Sequence, residues 1–238
     1  MFEWRQHRDE YAAELLRHHG CGDFGDSSCA KCLKASGVIR CKRCHGRQLY
    51  CGPCAVEIHK ENPLHVVEEW DGRCFKYTSL TKLGLRIEFG HADCIRPHLV
   101  DDFVVLDVGA VHVVNISYCG CTQAFKRGPL RTQLLRGRWY PATHEFPRTA
   151  ATFDCLDFFL AKTLQAKTTM YDFYTALERL TDGTGGSSLN RYAEFLRMVR
   201  QYRHLKMLVR GGRGQCNASG LPRNRMSSVS APPGKPSE

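Results

Sequence analysis

Between residues 29 and 65 the chain three times places two cysteines on either side of a two-residue gap, as Cys29 and Cys32, Cys41 and Cys44, and Cys51 and Cys54, and then adds His59 and His65. Two thiolates at that spacing can reach one tetrahedral ion from a tight turn. The pairs and the two histidines offer eight ligands, which is enough for two closed four-ligand sites. Adjacent pairs could each share an ion. Interleaving would instead give Cys29, Cys32, Cys51 and Cys54 to one zinc, and Cys41, Cys44, His59 and His65 to the other. We favour interleaving because it pins residues 29–65 into one compact body. The stretch from Cys21 to about Trp70 is poor in apolar runs and buries too little area to fold unaided. A structural zinc contributes about 10–16 kcal/mol of apparent binding free energy, which would substitute for the missing core.

The other cysteines sharpen this reading. The chain holds 13, an odd number that fits poorly with a closed disulfide framework. The N-terminal residues from Met1 to Arg8 form no apolar signal segment, and no apolar run approaches membrane-spanning length. An intracellular, reducing setting is therefore expected, where clustered cysteines bind metal rather than pair. A weaker constellation follows, His91 and Cys94 with Cys119-Gly120-Cys121, which would make a third four-ligand site and staple a hairpin to the segment before it. His98 is a substitute ligand there. Cys21, Cys74, Cys155 and Cys216 have no partner at metal spacing, and Cys155 reads as core. His45, His112 and His144 read as incidental.

Full ligand sets imply structural metal, because a catalytic zinc keeps an open position and needs a nearby base. Glu57, Glu61, Glu68 and Glu69 read as solvated charge. Asp101, Asp102 and Asp107 surround one strand and lack the partner acids of a two-metal nuclease. No catalytic residue, small-molecule substrate or membrane partner is expected.

The fold class expected is α+β: a small zinc-stabilised module, a β-hairpin region with the third site, and a C-terminal helical region. Residues 4–19 read as an amphipathic helix carrying Trp4, Tyr11, Leu15 and Leu16. Residues 71–90 carry a mixed pattern, in which Leu80, Leu83, Leu85, Ile87 and Phe89 suggest a short helix and then a strand. Residues 103–108 and 111–116 flank Gly109-Ala110 as a hairpin. After Pro147 the apolar period lengthens to about 3.6, marking helices around Phe153–Leu160, Met170–Leu180 and Tyr192–Val209. The organisation expected is an N-terminal helix over 1–20, a double zinc module over 21–70, a β-rich segment over 71–148, a helical basic region over 149–210 and a disordered tail over 211–238.

The net charge of +10 and pI near 9.1 favour an acidic partner, nucleic acid first. On the last helix Arg197, Arg200, Arg203 and His204 share one face, with Lys206 nearby. Arg136 and Arg138 stand beside Trp139 and Tyr140 as a second basic and aromatic patch. The DNA contacts expected are Arg136, Arg138, Arg197, Arg200, Arg203 and Lys206. Four to six phosphate contacts would set a log K against log salt slope of roughly −4 to −5.

Several of these features are similar to known families. The first cluster resembles a B-box zinc finger, whose two interleaved zincs match the pairing favoured above. A RING domain also interleaves two zincs, but it needs a longer gap after its first pair and a fourth cysteine pair where His59 and His65 stand. A longer ordered series includes Trp4, Pro63-Leu64-His65, Trp70, Leu83-Gly84-Leu85, Gly90-His91, Phe103 to Asp107 and Cys119-Gly120-Cys121. It continues through Gln133 to Arg136, Trp139 to Thr143, Thr149 to Phe153, Asp172-Phe173-Tyr174, Arg191-Tyr192 and Arg203 to Lys206. Over roughly residues 2–214 this resembles the CxC2-like cysteine-cluster region at the front of fungal KDZ (Kyakuja–Dileera–Zisupton) transposases. The resemblance implies a mobile-element origin, a nuclear site of action, and a separate ribonuclease H-like catalytic domain that would begin where this chain stops. The chain is therefore expected to be a non-enzymatic recognition region that contacts DNA. The alternative is a zinc-dependent module for protein partners or self-assembly.

Overall fold

A computed structural model describes residues 2–20, 28–46, 48–91, 94–121, 128–181 and 190–211. The tail expected beyond Gly211 lies outside the described residues, as do Cys21 and Cys216. The fold is α+β, with two sheets and seven helices among the described residues.

The N-terminal segment forms two helices, α1 (Phe2–Gln6) and α2 (Arg8–Arg17), rather than one. The break falls at His7, whose backbone leaves the helical region and which caps α2 without a side-chain hydrogen bond. No residue of α2 is buried, and Trp4, Tyr11, Leu15 and Leu16 are exposed.

The front module then forms around a small antiparallel sheet ordered β1-β2-β3, with β1 (Ile39–Cys41), β2 (Val67–Trp70) and β3 (Phe75–Thr78). One short helix, α3 (Gly52–Ile58), packs against β1. The apolar cluster here is Ile39, Ala55, Val67, Leu80 and Leu85, with Leu83 packed against it. Both sheet and cluster therefore run past Trp70, where the sequence suggested that the module ends. The short helix expected near Leu80 is a turn. A hydrogen bond from the Leu85 amide to the Leu80 carbonyl (2.9 Å) closes it, and Gly84 adopts a positive φ of 100°.

A five-stranded sheet ordered β4-β6-β5-β8-β7 forms the body. The expected hairpin is its centre but is longer than the sequence suggested: β5 (Pro97–Asp107) pairs antiparallel with β6 (Ala110–Cys119) around Val108-Gly109. The strand β4 (Arg86–Glu88) lies parallel to β6. A helix α4 (Leu130–Arg136) leads to β7 (Trp139–Pro141), which pairs with β8 (Thr149–Thr152). The strand β8 runs parallel to β5, so residues expected to open a helical region instead sit inside the sheet. All four of its residues are buried, Thr149-Ala150-Ala151-Thr152, so no polar–apolar alternation marks it as a strand.

Alternate residues of β5 serve two cores. Val104 and Leu106 face α5 (Phe153–Ala166), α6 (Met170–Thr181) and α7 (Tyr192–Arg210), where Phe159, Phe173 and Phe195 interlock at centroid separations of 5.1–5.7 Å. Phe103 and Val105 face the opposite core with Ile116, Tyr118, Leu134 and Trp139. Thr152 caps α5 by accepting from the Cys155 amide (3.1 Å), and Cys155 is core as expected.

Candidate metal centres

The helix α3 explains how two sites are threaded together. Cys51 is its N-cap and Cys54 lies in its first turn, while His59 stands at its C-cap. A seven-residue helix is about 10 Å long, so its two ends serve two different centres. At the N-terminal end Cys51 and Cys54 meet Cys29 and Cys32, with 3.9 Å between Cys32 Sγ and Cys51 Sγ. At the other end His59 and His65 meet Cys41 and Cys44. The structure therefore brings together the interleaved quartets rather than adjacent pairs.

In the second quartet His59 Nδ1 donates to the Ala55 carbonyl (2.7 Å), which turns Nε2 toward Cys44 Sγ at 3.5 Å. That arrangement sets the tautomer a ligand needs. His65 faces the same centre with Nδ1, 3.5 Å from Cys41 Sγ and 3.4 Å from Cys44 Sγ. The Cys44 amide donates to Cys41 Sγ (3.3 Å), the local geometry that holds a two-residue knuckle closed.

The third quartet is His91, Cys94, Cys119 and Cys121, with Cys94 Sγ and Cys121 Sγ 3.5 Å apart. Gly120 serves it by close approach, not by an unusual φ. A Cβ there would lie 2.6 Å from the Arg96 carbonyl oxygen, to which the Gly120 amide also donates (2.9 Å). His98 is turned to Tyr118 instead, with ring centroids 6.3 Å apart.

Donor separations test the fit to a cation. Zn–S near 2.3 Å and Zn–N near 2.0–2.1 Å put neighbouring tetrahedral donors about 3.5–3.8 Å apart. The donor separations given above run from 3.4 to 3.9 Å, and in each quartet all donors lie within 4.8 Å of one another. All three quartets could hold a metal ion and are compatible with zinc. Crowding splits the thiols. Burial would raise Cys29, yet the backbone of Cys32, Cys51 and Lys31 brings it down to about 6, while hydrogen bonding to Cys51 and burial push Cys54 up to about 12. Burial and Cys41 likewise push Cys44 up to about 11. The backbone of Arg96, with Cys94 and His91, lowers Cys121 to about 6. A cation would draw the remaining protons off each set.

Two contributors were not identified from the sequence. Arg43, inside the second knuckle, pairs with Asp107 at 3.7 Å and packs on Gly109, where a Cβ would collide with its guanidinium. It joins the metal module to the β5–β6 turn. Gln133, nearly buried on α4, binds the backbone of Cys119. A polar residue on the apolar side of a short helix was the available signal.

The basic residues divide. Arg138 pairs with Asp154 (2.7 Å), Lys206 pairs with Asp157 (2.9 Å), and Arg197 donates to the Ala142 carbonyl (3.2 Å). Arg200 and Arg203 are exposed on α7, opposite the buried Phe195, Met198, Val199 and Tyr202. Arg136 lies at the end of α4, away from that face in sequence and element. A cleft of about 480 Å³ separates the second quartet from the sheet, and its charges are largely paired, Arg43 with Asp107 and Arg138 with Asp154. Asp101 is bound to Arg86 (2.6 Å), and Asp107 accepts from the Thr152 hydroxyl (2.8 Å).

Fold and sites together define a cysteine-cluster protein of mixed helix and sheet, with three Cys/His quartets among the described residues that could hold metal ions. Residues 80–185 match the family model described as a CxC2-like cysteine cluster associated with KDZ transposases. The match spans the third quartet and the strands and helices from β4 to α6; it leaves the first two quartets and α7 outside, and is narrower than residues 2–214, over which the sequence resemblance runs. No curated protein and no solved structure matches the chain. Among the described residues no helix is long and apolar enough to cross a membrane.

Proposed function

We propose that the chain is a zinc-stabilised, non-catalytic recognition region of a KDZ-type transposase, or of a transposon-derived protein, acting on DNA in the nucleus. The observation that carries this reading is the CxC2 match lying over a quartet whose donor spacing suits a closed tetrahedral ion. Thiolate and imidazole donors at these distances favour zinc. Four protein ligands per ion leave no open position for a reacting water, which supports a structural role. Asp101 and Asp107 stand six residues apart along one strand, about 20 Å at the usual rise, which is too far for shared metal chemistry.

The DNA-contacting face is the outer side of α7, with Arg200 and Arg203 presented to solvent beside Arg197 and Lys206. The net charge of +10 supplies the long-range attraction. Titrating purified protein against duplex DNA by fluorescence anisotropy at several salt concentrations tests this. Each lost phosphate contact flattens the salt slope by about 0.9, so Arg200→Ala with Arg203→Ala should reduce it by about 1.8. Absence of binding at low salt would remove the DNA reading.

A second reading rests on the uncovered Trp4, Tyr11, Leu15 and Leu16 of α1 and α2. Such a stripe suits a protein partner or self-assembly, as in the B-box-like alternative. Solution mass that falls when residues 1–19 are removed, without DNA present, would favour it.

A further inference from the structure

We propose that Gln133 is the positioning residue of the third metal centre, holding Cys119 in place through its backbone; this rests on the reading of that quartet as a metal site. Pro97 stands opposite Cys119 in the β5–β6 register, and the Gly120 amide bonds the Arg96 carbonyl. In an antiparallel ladder that pattern turns the amide and carbonyl of Cys119 away from β5, toward the edge β4 occupies. The strand β4 stops at Glu88, paired with Ser117, and so falls short of Cys119. Two polar backbone groups of a nearly buried residue are thus left beyond the last ladder bond, a loss that costs about 1–3 kcal/mol per group when unsatisfied.

The Gln133 side chain takes the place of the missing strand. Its Oε1 accepts from the Cys119 amide (2.9 Å), and its Nε2 donates to the Cys119 carbonyl (3.1 Å) and to the Gly128 carbonyl (3.2 Å). Gly90, next to His91, packs closely on that side: a Cβ there would lie in ordinary contact with Cys119 Cβ at 3.5 Å. A primary amide is the group that can mimic a peptide unit, with one acceptor and two donors in a plane. It fixes the direction of the Cys119 Cα–Cβ bond, and its second donor holds the Gly128 carbonyl just ahead of α4.

Outer-shell partners of metal ligands typically change affinity 10–100-fold when removed. The test uses the full chain loaded with zinc and challenged with graded chelator, with metal content read by elemental analysis. Wild type should hold three equivalents, and Gln133→Met, which keeps the volume and loses the hydrogen bonds, should release one of them at 10–100-fold lower chelator while keeping two. Gln133→Glu, which can still accept from the Cys119 amide, should fall between. In cobalt-substituted protein Gln133→Met should shift the ligand-field bands of one site only, with far-ultraviolet circular dichroism unchanged. Cys121→Ser identifies that site by abolishing the same equivalent. Release of all three equivalents at wild-type chelator concentrations, or unshifted cobalt bands, would overturn the role of Gln133. Only two equivalents in wild type would overturn the third site itself.

Discussion

The front module and the sheet body solve the same problem by different means. The module has five buried residues in its apolar cluster, none larger than Leu or Ile, and two quartets of metal donors. Among the described residues the body has sixteen buried residues in the cluster on one sheet face and nine on the other, including three interlocked phenylalanines, and a single quartet at its edge. Where apolar area is scarce, coordination is the available source of free energy to order the chain; where it is plentiful, a metal would only finish a strand end. We therefore expect the module's fold to depend on metal and the body's to rest on its core, with the third quartet as a candidate staple.

The largest effect that could break this contrast is metal removal. Each structural site contributes about 10–16 kcal/mol of apparent binding, so chelation, or Cys51→Ser, should make residues 28–85 protease-sensitive while a fragment spanning the sheet and α5–α7 survives. Mass spectrometry of the digest checks this, and equal loss of both regions would erase the distinction. Next in size is Phe195→Ala, which opens a cavity among Phe159 and Phe173. It should cost about 3–5 kcal/mol in urea denaturation of the body and leave the metal content of the first two centres unchanged.

A smaller effect sharpens the edge staple. Gly120→Ala drives a methyl against the Arg96 carbonyl at 2.6 Å. It should cost about 1–3 kcal/mol and make the third equivalent of metal easier to extract, measured by the same denaturation and chelator series. Smallest is Arg43→Ala, which removes the ion pair between knuckle and hairpin turn. A partly exposed pair is worth about 0.2–1 kcal/mol, so melting should hardly change, while amide exchange near Asp107 and Gly109 should quicken. A loss as large as that of Phe195→Ala would mean that the two regions fold as one unit.

Legibility followed the range of the interactions. The β5–β6 hairpin and helices α5 to α7 were readable because apolar period is a local property of neighbouring residues. Around Leu80 the same apolar spacing misled, since those leucines turn toward the module's cluster instead of forming a helix face. The strand β8 was missed because Ala150 and Ala151 carry no strand signature; they are small because both sheet faces over them are covered. For the basic surface, Arg138, Arg197 and Lys206 were legible as charge but not as members of internal pairs, since Asp154, Ala142 and Asp157 lie far from them in the chain or across a turn.

The donor types and their two-residue spacings were set by the sequence alone, because a knuckle is closed by atoms only three residues apart and coordination chemistry admits few donors. The choice between adjacent and interleaved quartets belonged to the tertiary structure, through the length of α3, which delivers Cys54 to one centre and His59 to the other. So did the clamp of Gln133 on Cys119 and the docking of Arg43 on Asp107, since each joins elements whose approach depends on how the sheets and helices pack. Spacing in a chain limits what neighbours can do together, whereas contacts across the fold exist only once burial has brought distant segments side by side.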